Sequence, residues 1–523
     1  MQVERMKFMA PAWMAAIFAA ALIPLFATPV LPIIDLYDHL ARFFILSRIG
    51  ADSMFRMYYQ AHWTLLPNIG VDIIGTPLMK ILPGVSTGHL LITVILALLY
   101  SGVLVFHRVR TGEWSLLVAV LLAPLLYSYV LNWGFINFLL GLGLAFWTAS
   151  FWIANRHRPA MAVPLACLCA VAIYLAHGVA FALYWLLIAA LEAGDAIAQR
   201  PFSAALFLRR FTAIAVQAVV PIALFVVWHA KEAAARPIPT APDPLVAQQV
   251  HNGLYRLSTI LRVEEGPAYW FDVATLALQL AAITFLLWKR SASIPRNAWP
   301  LIALGLILMI TVPSKMFGAF YISDRMPLFA ALCALGCISF AGFGRHAADR
   351  LAGTAIVLIA GARLAVTAVA WHGYGAEYRE FESLEPKIAR GSIVSEVMIG
   401  AGHHETRVPR CEMFGPMLVL DDRAAAPLFS DPNQQPLIKI GRLKTAAESL
   451  QAAVPLPRPE TIDYRPYMAG AIKAGFDYLL VCNANLLNLP LPAGLQLIAQ
   501  TSHFQLLRGG KGHGAKLRKK LAT

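Results

Sequence analysis

Two carboxylates, an imidazole and a guanidinium crowd one short stretch, Ile34-Asp35-Leu36-Tyr37-Asp38-His39-Leu40-Ala41-Arg42, directly after the first apolar run. In a helix, Asp35, Asp38, His39 and Arg42 fall at i, i+3, i+4 and i+7 and share a face, while Leu36, Leu40 and Phe43 line another. A polar face is thereby offered to whatever lies above a bilayer. Paired carboxylates at a water-facing helix end can bind a divalent cation such as Mg2+ or Mn2+, or take a proton from an acceptor hydroxyl. The same spacing also suits a plain interfacial amphipathic helix with an Asp38–Arg42 pair four residues apart.

Further ionisable and amide residues recur along the chain: Asn68 and Asp72, then Asn132 and Asn137, then His177, and finally Lys315, Asp324 and Arg325. Cationic Arg325, Lys315 or Arg42 suits a phosphate leaving group. Each has a structural alternative. Asn132 can close a tight turn, His177 can be a helix-interface hydrogen bonder, Asp324-Arg325 can be a local ion pair or helix start, and Asp72 can cap or pair within its own loop. Walker, dinucleotide, HExxH and nucleophile-elbow motifs are absent from the sequence, so ATP hydrolysis, hydride transfer and zinc proteolysis lose their usual supports.

These residues must be positioned by membrane helices. The 523 residues are 59% hydrophobic and 14% charged, with a mean hydropathy of +0.63, which is too apolar for an ordinary soluble protein. Apolar segments run at Met9–Leu31, Leu90–Phe106, Trp114–Leu131, Phe135–Ile153, Met161–Leu175, Val179–Leu191, Phe211–Trp228, Phe271–Trp288, Trp299–Val312, Met326–Phe343 and Ala352–Ala370, about eleven spans. The first reads as a retained helix rather than a cleaved signal. With Arg5 and Lys7 inside, the basic loops around Arg108, Arg156, Arg209, Lys289 and Arg345 all fall on the same side. That charge bias makes nucleic acid an unnecessary partner for the net +14 chain.

The opposite, outer side receives Pro32–Ser86, the Asn132 turn, His177, the loops before Tyr269 and Arg325, and everything after Trp371. Loop 32–86 is too polar to span and reads as re-entrant or interfacial helices. Proline-rich Arg236–Pro244 is stiff, either a gating flap or a connector, and Val246–Leu261 has helical periodicity. The expected organisation is a membrane domain over 1–371, an extracytoplasmic α/β cap over 372–510 and a basic disordered tail over 511–523. In the cap, Phe476–Val481, Leu495–Ile498 and His503–Leu507 read as strands, with Ala469–Ala474 a short helix before the first. Cys411 and Cys482 can pair if that region is extracytoplasmic. Cys167, Cys169, Cys333 and Cys337 lie in apolar spans without companion ligands.

A first span followed at once by acidic residues in a long outer loop, about eleven spans and an outer C-terminal domain together resemble the GT-C superfamily of polyprenyl-phosphate-sugar-dependent membrane glycosyltransferases. DLYDHLARFFIL, YYQAHWTLLPNIGVDII, NWGFINFLLGLGLAF, YLAHGVAFALYW and SDRMPLFAAL look like segments of uncharacterised bacterial membrane proteins of that layout. The resemblance covers most of the membrane part and only the general character of the rest. It implies an all-α polytopic fold in the bacterial inner membrane, a lipid-linked sugar donor, and a glycan, lipid or protein acceptor. By position it implies that Asp35 or Asp38 is the general base or a metal ligand and that Arg325 with Lys315 grips the lipid phosphate. His39, Arg42, Asn68, Asp72, Asn137, His177 and Asp324 complete the expected substrate-binding set. Asp35 and Asp38 are separated by two residues, whereas many members carry adjacent acids or acids one apart. A transporter or flippase of a lipid-linked or anionic solute, or a non-enzymatic envelope-assembly partner, are the rival readings; the first predicts repeats and midplane charges, of which no convincing sign is found.

Overall fold

Long runs of Leu, Ala, Val and Phe with few charges favour helices whose backbone satisfies itself, the requirement for crossing lipid. The computed structural model describes residues 2–199, 201–235, 258–316, 319–399, 413–428, 434–453, 464–484 and 490–509. The Arg236–Pro244 stretch, Val246–Leu261 up to residue 257, Cys411 and the basic tail lie outside the described residues.

In chain order the main helices are α1 (Gln2–Ala21), α2 (Leu36–Arg48), α3 (Gly70–Leu78), α4 (Gly84–Thr111), α5 (Leu116–Leu125), α6 (Ile136–Asn155), α7 (Pro159–Ala176) and α8 (Gly178–Ala198). There follow α9 (Ala204–Ala235), α10 (Tyr269–Trp288), α11 (Trp299–Thr311), α12 (Met326–Cys337), α13 (Ala347–Glu382), α14 (Phe414–Leu420), α15 (Gly441–Ala453) and α16 (Arg465–Ala474). Every apolar segment of the sequence maps onto one of these helices. Among the described residues, seven are long and apolar enough to cross a membrane: α4, α6, α7, α8, α9, α10 and α13. Three of the others, in α1, α5 and α11, are shorter apolar helices.

The chain divides into two compact units: residues 1–26, 65–70 and 92–369, and residues 27–64, 71–91 and 370–523. In the first, α7 packs on α6, α8 and α9, while α8 also packs on α6, α9 and α11. Small residues allow the closest approaches. A Cβ on Gly141 would stand 2.7 Å from the Ala180 Cβ, so α6 and α8 meet there only because glycine leaves the space. Leu168, Val219 and Leu358 point outward and stay exposed, an apolar rim suited to lipid.

The second unit has a five-stranded sheet in the order β3-β2-β5-β7-β6, from β2 (Ser392–Met398), β3 (Ala424–Ala425), β5 (Tyr478–Cys482), β6 (Leu495–Gln500) and β7 (Phe504–Gly509). β2 runs parallel to β3 and β5, and β7 runs antiparallel to β5 and β6. The three expected strands and the helix before them are present, with ends that differ by at most four residues; β2 and β3 are additions. Phe381, Phe414 and Phe504 form its aromatic core, with Phe414 4.8 Å from each of the other two ring centroids. Cys482 is disulfide-bonded. In the same unit, β1 (Tyr59–Ala61) from the first loop pairs antiparallel with β4 (Leu437–Lys439), with Tyr59 opposite Lys439. Tyr58 and Tyr59 donate their hydroxyls to the carbonyls of Gly391 and Ala426, both at 2.7 Å. Gly75 of α3 sits on the Phe43 ring of α2, where a Cβ would clash at 2.3 Å.

Candidate functional site

On α2 the expected helix forms, and its polar face turns inward rather than outward. Asp38, His39 and Arg42 are buried, and Asp35 is half-buried at the N-cap position. A guanidinium enters a core only with compensation. Arg42 is 1% exposed and Asp72 is fully buried, and the two form a forked pair whose second contact, Nη2 to Oδ2, is 3.2 Å. Asp72 thus reaches out of its own loop segment to α2. Arg42 Nη2 also lies 2.6 Å from His39 Nδ1. That ring nitrogen must accept, so His39 is neutral. Burial, reinforced by the Arg42 charge, holds its pKa well below the usual imidazole range.

Asp35 and Asp38 stand at the start of α2, where unpaired backbone N–H groups and the helix dipole favour negative charge. Two carboxylates suit a hard divalent cation only if substrate oxygens or water complete its shell. Among the described residues, no group of three or more His, Cys, Asp or Glu gathers at ligand spacing.

The first unit collects the remaining candidates at the bundle end where α7 meets α8. His177 ends α7 and begins α8 in extended conformation, φ −164° and ψ 123°. Its Nδ1 lies 3.2 Å from the Val179 N–H and its Nε2 lies 2.9 Å from Arg325 Nη1. A neutral imidazole has one lone pair, so only one of these contacts is a true hydrogen bond. Arg325 is 4% exposed, donates to the Phe320 carbonyl at 3.1 Å, and lays its guanidinium over the Phe135 ring at 3.9 Å. Asp324 accepts from the Ser323 hydroxyl at 3.0 Å. Lys315 lies over the Phe320 ring at 4.7 Å. Asn137 donates to the Asn68 carbonyl at 3.0 Å, and Asn68 itself takes φ +110°, the left-handed region that asparagine tolerates. That turn is anchored by Leu66 and Ile69 packing with Trp228.

Arg262, Arg363 and an aromatic cluster at this end were not singled out from sequence. Arg262, on a short 3-10 turn over Thr259–Glu264, pairs with Glu265 at 2.7 Å and Asp324 at 3.4 Å and covers the Tyr129 ring at 4.3 Å. Asn132 donates to the Glu265 carbonyl at 2.6 Å, so it does more than close a turn. Arg363 of α13 holds the same segment, contacting Glu264 and Asp272 at 3.2 Å each. Burial raises the Glu264 pKa to about 6 against the opposing pull of Arg363. A lone arginine inside an otherwise apolar run was the available signal for Arg363. Tyr129, Trp133, Phe135 and Tyr321 form an aromatic cluster with neighbouring centroids 4.8 to 6.5 Å apart. Tyr321 holds φ +57°, which costs a non-glycine residue roughly 1–2 kcal/mol.

The opposite end of the same bundle gathers the basic loops. Glu192 Oε1 accepts from Trp152 at 3.0 Å and Arg156 at 2.7 Å, and its Oε2 from Arg210 at 3.0 Å. Asp195 accepts from Arg110 at 3.1 Å, Arg156 at 2.7 Å and Asn297 at 2.7 Å. Five helix ends are tied there, and Arg110, Arg156 and Arg210 of three basic loops meet the same two carboxylates.

No protein-family model matches the sequence, and no curated protein does. Among solved structures, ArnT from Cupriavidus metallidurans in the apo state is similar, with a TM-score of 0.52 and 11% identity over 95% of this chain and 98% of that one. The same protein bound to undecaprenyl phosphate gives a TM-score of 0.52 and 12% identity over the same shares. The fold is therefore similar to that of ArnT along nearly the whole chain. The chain is a multi-pass membrane protein with a small sheet-containing C-terminal region.

Proposed function

We propose that this chain is a membrane glycosyltransferase that moves a sugar from a polyprenyl-phosphate carrier to a cell-envelope acceptor at the outer face of a bacterial inner membrane. The observation that carries the reading is the fold shared along nearly the whole length with ArnT, one of whose structures holds undecaprenyl phosphate. In the reaction, an acceptor hydroxyl attacks the sugar's anomeric carbon, the bond to the carrier phosphate breaks, and the proton passes to a carboxylate. Asp35 or Asp38 takes that proton; a divalent cation held by the pair would add charge stabilisation there. His39 and Arg42 with Asp72 fix the helix that presents them.

Arg325 and Lys315 grip the departing phosphate, with His177 and Asp324 orienting the cationic end and Asn68 with Asn137 shaping the adjacent turn. The two roles belong to separate units, and each rests on its own unit's geometry. Orientation follows from charge. The end holding Arg110, Arg156 and Arg210 faces the cytoplasm with the N-terminus, and the His177–Arg325 end faces outward.

The test is sugar transfer by membranes carrying wild type, Asp35→Asn or Asp38→Asn, supplied with radiolabelled polyprenyl-phosphate sugars. Transfer by wild type that is lost in one variant and retained in the other supports the enzyme and names its base. Equal transfer in all three, with protein inserted and folded, removes both carboxylates from the mechanism. No transfer from any donor counts against the glycosyltransferase reading.

A further inference from the structure

The aromatic cluster of the first unit goes beyond what ion pairing requires. Trp133 and Phe135 are stacked within 17° of parallel at 6.3 Å. Phe135 and Tyr321 are stacked within 29° at 6.4 Å. Trp133 and Tyr321 close the set at 4.8 Å and 37°. These three rings form a shelf, with the Arg325 guanidinium over Phe135 at 3.9 Å.

Three features distinguish the shelf from ordinary packing. Tyr321 is 36% exposed and Phe320 beside it 53% exposed, although aromatic rings are usually drawn into cores. Tyr321 reaches the shelf through a left-handed backbone, φ +57°, and strain of that kind is kept where surrounding structure enforces it. The Trp133 Nε1–H is buried with no hydrogen-bond partner among the described residues, whereas a buried indole N–H ordinarily finds one.

A ligand that answers all three has an apolar face to lie on rings and a hydroxyl to receive an N–H. A pyranose has both: its axial C–H bonds make a flat apolar face and its hydroxyls ring the edge. The position is also right for a sugar joined to phosphate, since the shelf begins one ring away from Arg325. We infer that Trp133 and Tyr321 form the platform for the donor's sugar ring, with Trp133 Nε1–H donating to a sugar hydroxyl, and so help to decide which sugar is accepted. This deepens the glycosyltransferase reading and rests on it.

The experiment measures binding of two probes to the detergent-solubilised full chain: polyprenyl phosphate alone, and polyprenyl phosphate carrying a pyranose, taken from a panel of hexoses and pentoses. Trp133→Phe keeps a ring and removes the N–H; Tyr321→Leu removes a ring. The expected result is a loss of about threefold to tenfold for the preferred sugar-bearing probe in each variant, an unchanged affinity for polyprenyl phosphate alone, and unchanged melting. Equal losses for both probes overturn the platform and place the rings on the lipid chain or the phosphate. Unchanged affinity for both probes overturns it in favour of packing. If wild type binds polyprenyl phosphate but no sugar-bearing probe more selectively than it, the platform fails while the carrier reading stands. If wild type binds neither probe, both fall.

Discussion

The two ends of the helical bundle handle their arginines differently. At one end, Glu192 and Asp195 meet Arg110, Arg156 and Arg210 oxygen by oxygen, with Trp152 and Asn297 completing the acceptors. At the other, ring contacts are added to ion pairs: Arg325 stands over Phe135 at 3.9 Å and contacts His177, and Arg262 stands over Tyr129 at 4.3 Å while pairing with Glu265 and Asp324. A cation matched by carboxylates is a fastening. A guanidinium over a ring gains a contact that uses none of its N–H donors. The first end is a carboxylate fastening, and the proposed reaction makes the Arg325 side of the second the receiving one.

That contrast is broken most forcefully at Glu192, which is 1% exposed. Glu192→Ala leaves Arg156 and Arg210 without their common acceptor and should cost about 3–5 kcal/mol. Thermal unfolding in detergent reads it as a large drop in Tm or a failure to accumulate folded protein; a wild-type Tm would show that the network fastens nothing.

At the receiving end the expected loss is functional. Arg325→Lys keeps the charge and removes the fork, and should lower polyprenyl-phosphate binding about tenfold to a hundredfold with Tm little changed. A Tm fall as large as that of Glu192→Ala, with binding intact, would reverse the two roles.

The second unit supplies a pH test of the same kind of His–Arg contact. His39 is neutral when folded, with its pKa held below the unfolded value of 6.5 by burial and by Arg42. The unfolded chain therefore binds the extra proton as pH falls below about 6.5. Stability from this group is present above that pH and is lost below it, with a slope of at most about 1.4 kcal/mol per pH unit. Tm measured from pH 7.5 to 5.0 should decline more steeply in wild type than in His39→Gln. Parallel curves would mean that the ring is protonated in the folded state.

The smallest effect is expected at Tyr129→Leu, which removes the ring under Arg262 and should cost about 0.5–1 kcal/mol. A double-mutant cycle with Arg262→Ala isolates that coupling, and a coupling of zero would reduce the ring contact to mere proximity.

Which parts of this were legible in the sequence follows from range. Helices such as Ile136–Asn155 and Gly178–Ala198 announce themselves through local composition, and the shared side of the basic loops through local charge. Asp38, His39 and Arg42 could be placed on one face of α2 from spacing alone. That this face is buried could not be read, because the neutralising Asp72 comes from another helix 30 residues later. Arg262 stood just past Val246–Leu261, a stretch read only for its helical periodicity, and its partner Asp324 meets it only in three dimensions. The aromatic shelf was hidden for the same reason: Trp133 passed as a turn residue, Phe135 as a span residue and Tyr321 as loop. Arg363 was visible as a charge in an apolar run and was passed over.

The pairing of β1 with β4 also has a consequence in time. Tyr59 meets Lys439 only after 380 further residues have been made. At a synthesis rate of roughly 5–20 residues per second, the β1 edge waits on the order of 20 to 80 s for its partner. Through that interval it is an unpaired strand edge beside a membrane. Assembly of that loop therefore waits on β4, although the loop itself leaves the ribosome long before β4 does.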